Sequence, residues 1–108
     1  QRLLLTYPTE KDLLASQTEH RAMLQNTIKS TQANMKSQLD SLAALLDQAA
    51  GYAERGDAVP ASLQDRVTAQ RAVVRKQRDW VDHKKAELAT FESDAKAQLL
   101  HYRSLRQH

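Results

Sequence analysis

Four histidines, one Arg-Gly-Asp triplet and a run of arginines are the residues here whose types could do chemistry. Imidazoles bind metals when ligands cluster at tight spacing. His20, His83, His101 and His108 are scattered, although the last two fall seven apart on one helical face. We read them as solvated surface residues. Cysteine is absent, which excludes disulfides and thiolate metal sites and says nothing of compartment. A nucleophile needs a base and an orienting group in a concave site. Every Ser, His and Asp here falls on a convex helical surface, and no glycine-rich phosphate loop exists. The reading is therefore not an enzyme, with no cofactor and no metal.

Arg55-Gly56-Asp57 spells an integrin-recognition tripeptide. Three residues without context are weak, and Gly56 already serves to end a helix. The arginine run is the stronger binding signal. Arg66, Arg71, Arg75, Lys76, Arg78, Lys84 and Lys85 lie close together, and Arg71, Arg75 and Arg78 align at helical spacing. These three are the candidate anion-binding residues. Asp79 and Asp82 interrupt the run, and no aromatic row accompanies it for base stacking. A membrane surface would want a Trp/Phe/Leu face opposite the charges, which the helix lacks. A solvated face paired with an acidic neighbouring helix is the favoured reading, and nucleic acid is disfavoured.

The elements that must carry these residues announce themselves by period. Before a break at Arg55–Pro60, a 4-3 spacing runs through Leu14, Gln17, Arg21, Leu24, Ile28, Thr31, Met35, Gln38, Leu42, Leu45, Ala49 and Tyr52. After it, the spacing runs through Leu63, Val67, Gln70, Val74, Gln77, Val81, Lys84, Leu88, Phe91, Ala95, Gln98, Tyr102 and Leu105. A repeat of about 3.5 residues sustained over many heptads argues a coiled coil. Two glycines, two prolines and abundant helix formers agree with few turns and long helices.

The expected fold is all-α: a long antiparallel two-helix hairpin over residues 1–108, with helices over 9–55 and 61–106 and a tip at 56–60. Tyr7-Pro8 blocks continuation upstream, Thr9 caps, and Glu10 and Asp12 face the positive helix end. Gly56 is the natural left-handed residue after the first helix, and Pro60 opens the second, with Ser62 as an alternative cap. Charge also divides. Residues 9–54 carry four Lys/Arg against six Asp/Glu, and residues 63–108 carry ten against six, within a net charge of +3.

Two registers suit the tip. The one richer in apolar matches pairs Leu45 with Val74, Ile28 with Phe91 and Leu24 with Ala95, and it is preferred. The other, with a shorter loop, pairs Leu45 with Val67 and Leu24 with Leu88. In either, Gln17, Arg21, Thr31, Gln38, Gln70, Gln77, Lys84 and Gln98 dilute the seam. So dilute a seam does not comfortably offset ordering costs of about 1–2 kcal/mol per residue. Extra apolar residues beside it, Leu39, Ala43, Leu46, Ala50 and Ala53 with Val73 and Trp80, suggest a second interface. Leu39, Leu46, Val73 and Trp80 are the candidate self-association residues, and the expected assembly is a dimer forming a four-helix bundle.

Arg2-Leu3-Leu4-Leu5-Thr6-Tyr7 before an acidic helix start, and Tyr52-Ala53-Glu54-Arg55-Gly56 leading to Val59-Pro60, carry a resemblance. The chain resembles the coiled-coil segment of certain small proteobacterial envelope proteins, where it follows a small secreted β-rich domain. The resemblance implies a periplasmic setting and an upstream domain, and it brings no catalytic residues. A first residue of Gln rather than Met fits an excised or processed segment of a larger protein, preceded by a cleavable export signal. A cytoplasmic setting is the alternative. No stretch approaches the roughly 20 apolar residues of a membrane span.

The functional expectation is a self-associating spacer or scaffold that holds partner domains. The alternative is a binding module for an anionic partner (nucleic acid, phospholipid or acidic protein) through the basic helix. A third option is a chaperone-like holdase.

Overall fold

The computed structural model describes residues 2–107, and within them the chain is an all-α helical hairpin. A short helix α1 (Arg2–Thr6) precedes two long ones, α2 (Glu10–Glu54) and α3 (Ala61–Arg106). Helix α1 is unanticipated by the sequence pattern. Thr6 Oγ1 donates back to the Arg2 carbonyl at 3.0 Å, and Tyr7 N–H closes the turn on Leu3 at 3.0 Å. Pro8 then stops it, as expected of a residue with no amide hydrogen.

The start of α2 is a reciprocal cap. Asp12 N–H donates to Thr9 Oγ1 at 3.1 Å, and Thr9 N–H donates to Asp12 Oδ2 at 3.1 Å. Two otherwise orphaned donors are satisfied, and a carboxylate sits at the positive helix end. The far end closes by a Schellman motif. Asp57 N–H reaches the Tyr52 carbonyl at 2.9 Å, Gly56 N–H reaches Ala53 at 3.0 Å, and Gly56 has φ 74°. A side chain strains in that conformation, so glycine is required here. Pro60 offers the first acceptor of α3: the N–H groups of Leu63 and Gln64 both reach its carbonyl at 3.0 Å. Ser62 takes no capping role among the described residues.

The chain divides into two compact units, one built from Gln1–Ile28 with His83–His108 and the other from Lys29–Asp82. In the first, Leu13, Gln17, Leu24 and Ile28 are buried with Ala95 and Tyr102. In the second, the buried residues are Leu45, Leu63, Val74 and Val81. All expected seam positions of α3 are buried or half-buried, and so are those of α2 save one. Leu13 is 0% exposed, whereas Leu14 is 39% exposed. The last turns of α3 hold the entry to α2: Tyr102 Oη donates to the Tyr7 carbonyl at 2.7 Å and Arg106 Nη1 to the Pro8 carbonyl at 3.2 Å. Held there, α2 presents Leu13, since one residue turns a helix face by about 100°.

The preferred register is overturned. It would set Gln17 opposite Tyr102. Instead Gln17 Nε2 donates to the Ala95 carbonyl at 3.0 Å and to Gln98 Oε1 at 2.9 Å. One heptad on, that alignment brings Leu24 to Leu88, as in the shorter-loop alternative. Within Lys29–Asp82, Gln70 Nε2 donates to Gln38 O at 2.8 Å and Oε1 at 2.7 Å, again far from the preferred pairing. The cause is the tip. The Schellman turn reverses the chain at Gly56, whereas the preferred register needs a longer connection.

Candidate functional site

Flanks of the helix pair, rather than a cavity, carry the exposed chemistry. In antiparallel helices the residues just outside one edge of the seam on one helix meet those outside the same edge on its partner. Within Lys29–Asp82 the Gln38–Gln70 bonds fix this pairing and define two flanks. One flank is a shallow groove lined by Ser41, Ala44 and Gln48 from α2 and by Arg66, Ala69 and Val73 from α3. Trp80, seven residues beyond Val73, continues that edge of α3. The opposite flank carries Leu39, Ala43, Leu46, Ala50 and Ala53 on α2, a second 4-3 row, with Arg71, Arg75 and Arg78 on α3.

All four candidate association residues are exposed: Leu39 by 40%, Leu46 by 38%, Val73 by 40% and Trp80 by 47%. The helix pair does not gather them into one patch. Leu39 and Leu46 lie on one flank, and Val73 and Trp80 on the other. The three candidate anion-binding arginines are exposed, and none makes an ion pair among the described residues. Pairing with the acidic first helix, the expected fate of these residues, is not what the structure has. The ion pairs that do join the helices lie in the other unit, Arg21 with Glu92 at 2.6 Å and Arg103 with Glu10 at 2.8 Å. Sequence reasoning missed both, because charge totals per helix do not say which residues come level.

The hydrogen bond and charge of Arg103 hold the Glu10 carboxyl below its ordinary 4.5, and Glu10 raises Arg103 in return. Glu87 is lowered chiefly by its hydrogen bond from Lys84 at 3.0 Å, with smaller contributions from Lys84, His83 and His20 as charges. His20 also packs its ring against Phe91, with centroids 4.4 Å apart, and Arg21 approaches the same ring at 5.8 Å. Among the described residues no group of three or more His, Asp or Glu is placed to hold a metal. His108 lies outside the described residues.

At the tip, Arg55 lies over the Tyr52 ring at 4.7 Å, and its Nε faces Asp57 Oδ2 at 3.5 Å. The two charged members of the triplet are thus turned toward each other across the Gly56 bend. No helix among the described residues is long and apolar enough to cross a membrane. No family model, curated protein or solved structure matches this chain.

Proposed function

We propose that this chain is a structural interaction module: a helical hairpin that self-associates and so holds or spaces partner domains. The observation that carries the reading is the exposed apolar chemistry left once the seam is filled. Val73 and Trp80, on one flank, remain 40% and 47% exposed on helices whose seam is rich in glutamine. Long helices draw most of their stability from buried apolar faces. A second copy is the economical cover, since a closed two-fold dimer needs only one gene product.

Of the two flanks, the one bearing Val73 and Trp80 suits a second copy better. Its α2 edge is Ser41, Ala44 and Gln48, small or uncharged residues against which apolar side chains of another copy can pack, and Arg66 lies beside Ala69 and Val73 on its α3 edge. Trp80→Ala and Val73→Ala should weaken the dimer about tenfold or more, since aromatic anchors dominate interfaces. Equilibrium sedimentation reads this directly. Loss of a purely exposed charge, as in Lys96→Ala, should leave assembly unchanged.

We infer a periplasmic setting for this module, on the resemblance carried by its Arg2–Tyr7 and Tyr52–Pro60 segments. A full-length gene product without an export signal would contradict that setting.

A further inference from the structure

The row Leu39, Ala43, Leu46, Ala50 and Ala53 has heptad spacing of its own and lies outside the seam. Large and small residues alternating at 4-3 spacing form the holes and knobs by which one helix seats on another. Because Gln38 and Gln70 are bonded side by side, Arg71 stands level with Leu39. Arg75 and Arg78 follow on the same edge, one and two turns further from the tip. The flank is therefore graded, apolar toward the tip and cationic over the turns from Arg71 to Arg78, before Asp82 follows on the same row.

A second copy fits this flank poorly. With a two-fold axis across the helices and centred near Arg75, α3 meets α3, and Arg71, Arg75 and Arg78 oppose the same arginines. With the axis along the helices, α3 meets α2, and Arg75 comes near Lys36. Both of these placements bring like charges together, which costs affinity. Lipid also fits poorly, since only two large apolar side chains face outward and both are only about 40% exposed.

We propose that this flank is a docking site for an amphipathic helix of another protein, apolar along one half of its binding face and acidic along the other. Apolar anchors of that helix sit between Leu39 and Leu46, over the small side chains of Ala43 and Ala50. Its carboxylates meet Arg71, Arg75 and Arg78. This goes beyond self-association and uses the opposite flank.

The test uses the whole chain and a fluorescein-labelled synthetic helix of three heptads. One half of its face carries Leu and Ala at 4-3 spacing, the other half carries Glu, and both orders of the halves are made. Fluorescence anisotropy should show micromolar binding of one order. A scrambled peptide of equal composition should bind at least tenfold more weakly. Arg71→Glu with Arg75→Glu and Arg78→Glu should weaken binding at least tenfold, and so should Leu39→Ala with Leu46→Ala. Circular dichroism confirms that each variant keeps its helix. Absence of peptide binding overturns the proposal, as does equal binding of the scrambled peptide or indifference to either set of substitutions. Tighter binding to duplex DNA or to vesicles containing phosphatidylserine overturns it in favour of those ligands. Sedimentation of the same proteins keeps this outcome separate from self-association: the arginine reversals should leave the dimer intact, and Trp80→Ala should leave peptide binding intact.

Discussion

Two glutamines in the seam have opposite fates. Gln17, buried, spends its amide on Ala95 and Gln98, whereas Gln77 buries an Oε1 that has no partner. A buried polar atom without a partner costs roughly 1–3 kcal/mol, while a satisfied one contributes about 1 kcal/mol. Gln77→Leu should therefore stabilise the fold by about 1 kcal/mol, and Gln17→Leu should destabilise it by a similar amount. Urea titration followed by circular dichroism checks both. If Gln77→Leu lowers the midpoint, its amide makes a contribution that this account lacks. Glu10 supplies a pH test at the same scale. Its carboxyl is lowered in the folded chain by Arg103, so the stability it lends is present above the ordinary value of 4.5 and is lost as pH falls through the lowered one. Glu10→Gln should lower stability slightly at neutrality, match the native chain once pH falls below the lowered value, and so flatten part of the acid limb of a stability-against-pH curve. The effect is small because the pair is exposed.

The helices were legible from period alone, since Leu, Val and Ile at 4-3 spacing leave few alternatives over six heptads. Their starts and stops were legible too: Thr9 with Asp12, Gly56 and Pro60 each impose local backbone chemistry. Register was not. A slip of seven residues keeps every seam residue on the seam, so the hydrophobic pattern is blind to it, and counting apolar matches chose wrongly. Closure at Gly56 decides it instead. Cysteines at Leu24 and Leu88 should cross-link within one chain far faster than cysteines at Ile28 and Phe91. Preferential linking of the second pair would restore the longer-loop register. Gly56→Ala should cost about 1 kcal/mol, because φ 74° strains any Cβ even though nothing lies within 4 Å of it. Helix α1 escaped notice because the five residues from Arg2 to Thr6 make little more than one turn and fall short of a heptad. Leu14 was mistaken for Leu13 for a related reason: the two are adjacent leucines, and the tie from Tyr102 to Tyr7 that selects one is non-local.

For the molecule as a whole, the exposure of Leu39, Leu46, Val73 and Trp80 was legible in sequence, but that of Met23 and Leu100, which are more exposed, was not, nor was the grouping of the four. Leu39 and Val73 look like one patch until antiparallel pairing sends them to opposite flanks. The arginines were likewise legible as a row, while their place beside Leu39 depends on the Gln38–Gln70 contact. In the proposed function, the flank of Val73 and Trp80 takes a copy of the chain, and the flank of Leu39 and Leu46 is proposed to take a different helix. That claim rests first on self-association, and sedimentation equilibrium tests it most directly. Run over micromolar to hundred-micromolar concentrations, the native chain should fit a monomer–dimer equilibrium, and Trp80→Ala with Val73→Ala should shift it toward monomer. A native chain that stays monomeric across the whole range, while fully helical, would contradict the account.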